Sequence, residues 1–444
     1  MRTNTLKNIS LCFLLVCTML LNAAGCTLKT PIENPTAVPN ASSTSNTDAD
    51  TGRVTPDPDA QTSELTANIK ANNVSGLAVD DQFIESQADF AVKLFQNTRK
   101  EGENTLISPL SVMLALAMTA NGTDAEAKEA MEKLLGGGIP IEKLNAYLYS
   151  YIFNLPDGEK YKLRIANSIW FREGVLNVYD DFLQTCVDYY DASVFASPFN
   201  DQAVNDINGW VSKNTDKMID KIIDEIDADT VMYLINALVF DAEWQEIYEK
   251  HNIYESVFHL MDDDDTERQV EMMSSVESLY LDDGMATGFI KNYKYGKYSF
   301  AALLPNEGIS LDDYIASLSG DMLIEIIGSP TNASVFAALP KFENEYEFQM
   351  LKALEAMGLP KAGLTKIGDC LWGDLMINEV LHKTYISVDE RGTKAGAVTS
   401  IGIISEGVPV YDHYIHLDRP FLYMIIDNST NLPIFMGTVL DVGE

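Results

Sequence analysis

The spacing of apolar residues predicts helices in the first half of the chain. Apolar residues within 90–95 share one face of a helix. A second helix is predicted to begin at Ser108, which suits an N-cap and is followed by Pro109. Its sequence is apolar nearly all round, so we expect it to be buried. Thr123 and Glu126 have the spacing of a capping box and predict a third helix.

Strands are predicted in the second half. Residues 230–240 are an almost unbroken apolar run, which is typical of a strand covered on both faces. Residues 380–389 alternate as a strand does, and residues 421–427 and 434–439 flank a polar turn and predict a C-terminal hairpin. Helices followed by mixed strands and helices indicate an α+β fold. We find no linker or repeat within residues 76–444 and interpret them as one domain.

The N-terminus has the pattern of an export signal. Arg2 and Lys7 precede an apolar run at residues 9–21, which is too short to span a bilayer. Small residues then lead to Cys26, as they do at a bacterial lipoprotein cleavage site. We therefore expect residues 1–25 to be removed and Cys26 to be lipidated, which anchors the protein at the cell surface. The alternative is an ordinary signal peptide and a fully secreted protein.

Residues 26–75 have the composition of a spacer. They are rich in Thr, Ser, Asn, Pro, Asp and Ala and have almost no aromatic residues. Such a segment cannot bury enough apolar surface to order itself. About 50 flexible residues reach roughly 40 Å, enough to hold a domain away from a membrane.

Composition argues against several classes of partner. The formal net charge of −35 repels nucleic acid and anionic lipid, so we expect no nucleic acid partner and membrane contact only through the N-terminal lipid. Beyond Cys26 the predicted mature chain has two cysteines, Cys186 and Cys370, which do not make a disulfide framework. Two isolated thiols are favoured over a single bridge.

One segment after the predicted strand at 380–389 has an unusual face. Residues at every second position are small and uncharged, namely Thr393, Ala395, Ala397 and Thr399. No proline interrupts residues 390–408, so nothing forbids main-chain pairing. The segment is suited to be an exposed loop that enters a sheet with its small face inward. The alternative is a small-residue surface loop.

This segment and several other motifs of the chain together resemble the serpin family. The hinge pattern Glu-x-Gly-Thr-x-Ala-x-Ala-x-Thr of that family is matched at Glu390, Gly392, Thr393, Ala395, Ala397 and Thr399. Further family motifs are matched in the right order at residues 107–112, 236–244, 339–342, 378–383, 419–421 and 434–437. The resemblance covers residues 83–441, essentially the whole folded part.

The resemblance implies a fold and a mechanism. The fold would have helices around a large central mixed sheet, smaller sheets, and an exposed reactive-centre loop at about residues 390–418. The protein would be a monomeric serine protease inhibitor rather than an enzyme, with no cofactor or metal. The protease would attack the loop as a substrate, and the cut loop would enter the main sheet and trap the acyl-enzyme as a covalent 1:1 complex.

The resemblance also implies roles for residues outside the loop. Ser108, Ser111 and Asn236 would lie where the sheet must part, and Trp244 and His382 near the point where the loop first enters. Ordinary core packing is the alternative for each of them. Arg391 and Lys394 stand where the family has acidic residues, and we expect both side chains to face solvent.

The attacked bond is predicted by counting. A forward count from Glu390 puts it between Glu406 and Gly407, and a backward count from Pro420 puts it near Val408. Glu406 would select a glutamate-preferring serine protease with a basic pocket. The alternatives, which suit elastase-like or subtilisin-like proteases, are Ile404, Ser405 and Val408.

Other functions fit the sequence less well. A serpin-like binding module that does not inhibit, or a solute-binding lipoprotein, would not need the small-faced hinge. The chain has no Gly-x-Ser-x-Gly, His-Glu-x-x-His or phosphate-loop motif of an enzyme. His413 and His416 are predicted to be surface strand residues rather than metal ligands. Residues 262–265, with Glu267, are predicted to be a solvated acidic loop rather than a calcium site.

Overall fold

The computed structural model describes residues 60–260, 266–393 and 410–443. Within these ranges the pattern of apolar residues gives both helices and strands. The helices are Asp81–Thr98 (α1), Pro109–Ala120 (α2), Ala125–Gly136 (α3), Ile141–Asn154 (α4), Asp180–Tyr190 (α5), Asp201–Asn214 (α6), Leu311–Ser317 (α7), Gly320–Gly328 (α8) and Leu351–Met357 (α9). The strands are Ser63–Glu64 (β1), Thr105–Ile107 (β2), Tyr161–Arg172 (β3), Leu176–Val178 (β4), Ser193–Ser197 (β5), Met232–Glu243 (β6), Ile253–His259 (β7), Glu267–Asp282 (β8), Ala286–Asn292 (β9), Tyr298–Pro305 (β10), Thr331–Pro340 (β11), Phe342–Gln349 (β12), Gly368–Cys370 (β13), Glu379–Val388 (β14), Gly392–Thr393 (β15), His413–His416 (β16), Phe421–Asp427 (β17) and Leu432–Val439 (β18).

Helix α2 begins as its sequence predicts. Ser108 is the N-cap, and its side chain accepts a hydrogen bond from the backbone N–H of Ser111. Every residue of the helix is buried. The apolar surface on all sides of α2 is therefore matched by packing on all sides, which places this helix inside the core.

Helix α3 begins one residue later than its predicted capping box. The N-cap is Asp124, whose carboxylate accepts from the backbone N–H of Ala127, and the hydroxyl of Thr123 donates to the carbonyl of Ala120 instead. Both side chains are good local hydrogen-bond partners, so the sequence pattern alone does not separate them. The helix ends where Gly137 takes a left-handed conformation with φ of 59°.

A mixed sheet of seven strands lies at the centre, in the order β1-β5-β3-β6-β15-β14-β12. Strands β3 and β5 are parallel, as are β6 and β14, and the other neighbours are antiparallel. Strand β6 packs against α6 through one face and against the main core through the other. This explains its unbroken apolar sequence and confirms the predicted α+β fold with a large mixed sheet.

A second sheet contains nine strands among the described residues. Its path is β16-β11-β8-β9-β10-β17-β18-β2, with β7 paired to β8, and a third sheet consists of β13 and β4. The predicted C-terminal hairpin is present as β17 and β18, in which Ile425 opposes Phe435.

The predicted spacer ends too late in the sequence. Strand β1 pairs with the edge strand β5, Leu65 donates its N–H to the carbonyl of Val194, and Asn72 donates its N–H to the carboxylate of Asp188. A polar sequence is held here because the open edge of β5 supplies backbone partners, which composition does not reveal. Residues 1–59, with Cys26, lie outside the described part of the chain.

Several further expectations concern the cysteines, possible metal ligands and membrane-spanning helices. Cys186 and Cys370 are free thiols, as predicted. His413 and His416 lie in strand β16, as predicted, and no cluster of metal-ligating side chains occurs in residues 60–260, 266–393 and 410–443. Residues 262–265 are outside the described ranges. No helix in those ranges has both the length and the apolar character needed to cross a membrane.

Candidate functional site

A tight turn reverses the chain directly after β14. The carboxylate of Asp389 accepts hydrogen bonds from the backbone N–H groups of Arg391 and Gly392 at 2.8 and 3.1 Å. Gly392 then passes so close to β6 that a Cβ atom would lie 2.0 Å from the carbonyl oxygen of Ala242. Only glycine fits at this position, which gives a physical reason for the glycine in the predicted hinge.

The first two residues of the hinge strand already lie between the strands of the central sheet. In β15, Thr393 opposes Val388 of β14 on one side and Ala242 of β6 on the other. Its side chain is buried, and its hydroxyl shares a 2.5 Å hydrogen bond with the hydroxyl of Tyr293. Thr393 therefore points to the interior, as the alternation of small residues predicts.

Two aromatic residues, Trp244 and Tyr248, hold the turn by hydrogen bonds, and we call them the aromatic platform. The backbone N–H groups of Trp244 and Tyr248 donate to the carbonyls of Arg391 and Glu390, each at 2.8 Å. The indole N–H of Trp244 donates to the carbonyl of Asp389 at 2.9 Å. The indole ring also stacks on Tyr293, with centroids 4.4 Å apart. Trp244 thus contacts the turn directly before β15, and its role in loop entry stays a prediction.

A salt bridge fixes Glu390 to the connection between β11 and β12. The Lys341 ammonium lies 2.9 Å from the Glu390 carboxylate and 3.0 Å from that of Glu271. Burial alone would raise the pKa of Glu390, but the hydrogen bond and charge of Lys341, a backbone hydrogen bond and the charge of Arg391 together outweigh burial and lower the pKa. Burial would likewise lower the pKa of Lys341, but its two carboxylate partners outweigh it and raise the pKa. The pair is thus ionised at neutral pH.

Arg391 does not face solvent, contrary to prediction. Its side chain is 13% exposed, and the nearest carboxylate oxygen, of Glu243, is 3.9 Å from Nη2. Its Nε and Nη1 atoms are buried with no hydrogen-bond partner among the described residues. Arg391 lies in the turn before β15, two residues before the inward-facing Thr393, and at this spacing its side chain falls on the same side as Thr393.

A buried ion pair next to Tyr248 was not predicted from the sequence. Lys291 of β9 is 3% exposed and lies 2.8 Å from the Glu277 carboxylate, with its ammonium 4.4 Å from the ring centroid of Tyr248. Burial would lower the pKa of Lys291, but Tyr248 and Glu277 outweigh it and raise the pKa. The one sequence signal is a lysine inside an apolar strand, which also suits a surface position.

A hydrogen-bond network crosses the middle of the central sheet. The backbone N–H of Ser108 donates to Nε2 of His382 at 3.0 Å, and the hydroxyl of Ser111 donates to the side-chain oxygen of Asn236. The amide nitrogen of Asn236 donates to the side-chain oxygen of Asn167. The network links the start of α2 to β14, β6 and β3. The structure therefore brings Ser108, Ser111 and Asn236 together, and their role in sheet opening stays a prediction.

His382 lies in this network and not at the entry of the loop, which corrects the prediction for it. The side chain is fully buried, and burial lowers its pKa to about 3, so the imidazole is neutral at physiological pH. A neutral Nε2 can accept the hydrogen bond from Ser108. The position along β14 depends on how that strand is aligned with β6, which the sequence of β14 alone does not specify.

Strands β6 and β14 share one register at both ends of the gap between them. Among the described residues they pair directly at Tyr233, Leu234 and Ile235 with Glu379, Val380 and Leu381. At the other end, Val388 opposes Ala242 across Thr393 with the same offset in numbering. A strand could therefore extend β15 into the sheet if β6 and β14 moved apart sideways, without any slip along their length.

The rest of the predicted loop lies outside the described residues. This applies to Lys394, to the hinge positions Ala395, Ala397 and Thr399, and to the bait positions Ile404, Ser405, Glu406, Gly407 and Val408.

The fold agrees with comparisons to known proteins. The profile of the serpin family (serine protease inhibitor) matches residues 85–442. Human neuroserpin is 27% identical over 382 residues, which cover 80% of this chain and 91% of neuroserpin. An uncharacterized serpin-like protein of Thermococcus kodakarensis is 25% identical over 364 residues, or 79% of this chain and 84% of that protein. The chain belongs to the serpin family, a family of protease inhibitors.

Solved structures show the same architecture. The thermophilic serpin tengpin in its native state is 50% identical, with a TM-score of 0.83, covering 86% of this chain and all of that one. Tengpin in its latent state is 49% identical, with a TM-score of 0.75, covering 83% and 100%. Thyroxine-binding globulin in complex with thyroxine shares the fold at 23% identity and a TM-score of 0.71, covering 81% and 99%.

Proposed function

We propose that this protein inhibits a serine protease as a suicide substrate. The observation that carries the proposal is the position of Gly392 and Thr393, which already form a strand between β6 and β14. The two flanking strands keep one register along the gap. Further insertion of the loop therefore needs only the sideways separation of β6 and β14, after which new main-chain hydrogen bonds would replace the three-residue contact between them.

The register supports small inward residues along the loop. If β15 continued, Ala395 would come to lie opposite Phe240, Ala397 opposite Leu238, and Thr399 opposite Asn236 and His382. Side chains without charge and with little volume add no unpaired charge and little overpacking to a buried face. Thr399 would meet the network at the middle of the sheet, which must rearrange for the strands to part.

The length of β6 supports Glu406 as the attacked residue. Continuing the register, residues 392–403 would fill the 12 positions of β6, about 40 Å of strand. Glu406 would then lie three residues beyond the end of the sheet. A protease joined to that residue would be carried to the far end of the molecule before water could release it.

The chemical step follows ordinary serine protease chemistry. The protease serine Oγ attacks the carbonyl carbon of Glu406, the peptide bond to Gly407 breaks, and the amine of Gly407 leaves with a proton from the protease histidine. The ester that remains links the two proteins as a covalent 1:1 complex. Deacylation would need a water placed by an intact active site. Insertion that pulls the ester out of position stops this step.

Metastability is the driving force of the proposal. The native fold would be held kinetically, because uncut residues 394–409 are tethered at both ends and cannot enter the sheet fully. Tengpin, the 50% identical relative, has been solved in both a native and a latent state. We propose the same kind of two-state behaviour here, with cleavage removing the tether.

The experiment mixes the full chain with three serine proteases that are glutamate-preferring, elastase-like or subtilisin-like. We expect a covalent complex with the glutamate-preferring enzyme that survives boiling in SDS, and a released C-terminal peptide that begins at Gly407 by mass spectrometry. Glu406→Ala is the matched control and should lose the complex with that enzyme.

A peptide beginning at Ser405, Glu406 or Pro409 would move the bait to Ile404, Ser405 or Val408. Rapid cleavage by every protease with no complex would reject inhibition and favour a binding module.

We further propose that the protein is exported from a bacterial cell and anchored through Cys26. The support is the N-terminal sequence: a basic start, a short apolar run at residues 9–21 and small residues directly before the cysteine. Because the chain is attached to the domain by residue 63, the part available as a spacer would run from Cys26 to about residue 60. That length would reach about 30 Å.

A further inference from the structure

Aromatic side chains gather on the outer face of the second sheet, next to the end of the loop. Val276 of β8, Phe336 of β11 and Tyr414 of β16 are direct cross-strand neighbours. Tyr411 and His416 pack on Phe336 from either side, with ring centroids 5.4 and 5.5 Å away. We call these five residues the aromatic patch.

The aromatic patch exposes apolar surface to water, which is unfavourable in an isolated protein. Tyr414 is 58% exposed and Val276 is 52% exposed, and the adjoining Val410 is 89% exposed. Single exposed apolar residues are ordinary, but a contiguous group of them marks a binding surface. This group contains no acidic, lysine or arginine side chain, on a chain whose net charge is −35.

The patch is held rigid by backbone contacts. Asp412 donates its N–H to the carbonyl of Ser334 at 2.9 Å, and its carboxylate accepts the N–H of Ser334 at 2.8 Å. The N–H of Tyr411 donates to the hydroxyl of Tyr414 at 3.4 Å. The N–H of Leu417 also donates to the carbonyl of Ala338 at 2.9 Å, so β16 is joined to β11 both before and after its residues. A rigid aromatic surface loses little entropy on binding, which favours affinity.

We propose that the aromatic patch is a second contact surface for the target protease, beside the cleft that takes the bait. This inference rests on the proposed function. Gly407 to Val410 is three residues, which span about 10 Å at most when extended. A protease that holds the bond between Glu406 and Gly407 must therefore bring the rim of its cleft, on the leaving-group side, against Val410 and the patch.

The chemistry of the patch defines the protease surface it fits. Tyrosine faces stack on arginine guanidinium groups and on apolar side chains, and both contacts are frequent binding hot spots. The strongly acidic chain also attracts a basic partner. The patch therefore fits a serine protease with arginine and apolar side chains at the leaving-group rim of its cleft. Such a contact would select among proteases that cleave the same bond.

The patch acts before trapping and not during it. Tyr411, Tyr414 and His416 follow the cut bond and belong to the C-terminal fragment, whose strands β16–β18 lie in the same sheet as Val276 and Phe336. None of the five residues belongs to the segment that would insert. Loss of the patch should therefore slow the association of inhibitor and protease and leave the fraction of trapped protease unchanged. Substitutions in the hinge are expected to do the opposite, because they change the fraction of protease that is trapped.

The experiment compares Tyr414→Ala with Tyr414→Phe and with Phe153→Ala, which removes an aromatic residue that is 79% exposed on α4. The second-order rate constant of inhibition and the stoichiometry are measured with the glutamate-preferring protease. We expect Tyr414→Ala to slow inhibition about tenfold at unchanged stoichiometry, and the two other variants to match the wild type. An unchanged rate in Tyr414→Ala, or an equal loss in Phe153→Ala, overturns the proposal.

A second measurement separates this inference from the proposed function. The same variants are titrated against the protease with its catalytic serine replaced by alanine. Binding that weakens about tenfold in Tyr414→Ala alone supports the patch even if the wild type traps no active protease. Binding that is equal in all variants overturns it. A concentration-dependent dimer of the wild type in sedimentation, absent in Tyr414→Ala, would also overturn it by assigning the patch to a second copy.

Discussion

Thr393 shows how much one side chain contributes to the hinge. Its hydroxyl satisfies the buried hydroxyl of Tyr293, and its backbone lies between two strands of the central sheet. The residue must therefore be small enough for the buried face and polar enough to pair with Tyr293. In the proposed mechanism Thr393 would be the first inward-facing residue of the inserted strand, so substitutions there test whether insertion can proceed.

Thr393→Arg should convert the inhibitor into a substrate. An arginine at this position would have to bury an unpaired charge to remain in the sheet, at a cost of several kcal/mol. Insertion would be slow compared with deacylation, so we expect at least ~10 molecules of inhibitor to be consumed per protease trapped. Gel quantification of cleaved chain and covalent complex measures this.

The control for that change is Thr393→Ser, which keeps a hydroxyl for Tyr293 and should behave as the wild type does. Full trapping by Thr393→Arg would show that this residue does not need to enter the sheet, and so would reject insertion as the mechanism.

At the scale of elements, the turn between β14 and β15 is held from two sides. The platform of Trp244 and Tyr248 binds its backbone, and Lys341 binds the carboxylate of Glu390. The backbone contacts do not depend on pH, whereas the ion pair does. The pKa of Glu390 is lowered in the folded protein, so the ion pair stabilises the native state above the unfolded pKa of about 4.5 and loses that effect as pH falls through the folded pKa.

Glu390→Gln should reproduce at pH 7 what acid does to this contact. The pair is partly exposed, so we expect a loss of about 0.5 kcal/mol, seen as an unfolding rate that rises about twofold in denaturant at pH 7. The difference in unfolding rate between pH 7 and pH 4 should be smaller in this variant than in the wild type.

The exchanged pair, Lys341→Glu with Glu390→Lys, is the matched control and should recover part of the lost stability at pH 7. The same pH dependence in Glu390→Gln as in the wild type would show that other carboxylates, such as Glu271, govern the acid response.

At the scale of the whole molecule, the folded domain and the proposed lipid anchor at Cys26 lie in different parts of the chain. The domain begins to make contacts at β1, which pairs with β5, and its C-terminal strands complete the second sheet. The proposed membrane connection would depend on Cys26, which is far from the hinge in sequence.

Cys26→Ser should release the protein from the membrane without changing inhibition. A diacylated cysteine binds a bilayer stably, whereas a chain without acyl groups and with a net charge of −35 is repelled by anionic lipid. We expect the wild type in the membrane fraction of expressing cells and Cys26→Ser in the soluble fraction.

Cys370→Ser, at a free and half-buried thiol, is the control and should remain in the membrane fraction. Wild-type protein that is already soluble would favour the ordinary signal peptide.

Local features of the chain were predictable from the sequence. The start of α2 at Ser108, the hairpin of β17 and β18 and the inward face of Thr393 follow from capping, turn and alternation rules. These rules act over a few residues, so the information lies within the segment itself. The loop beyond Thr393 was interpreted from the same alternation together with resemblance to a family.

Tertiary structure decided everything that depends on strands far apart in the chain. His382 lies beside Asn236 and not at the loop entry because the register of β14 on β6 sets its depth. The Trp244 platform, the buried pair of Lys291 and Glu277, and the row of Val276, Phe336 and Tyr414 likewise join distant segments. Alternation assigns a side chain to a face of a sheet, but only the packed sheet determines its neighbours on that face.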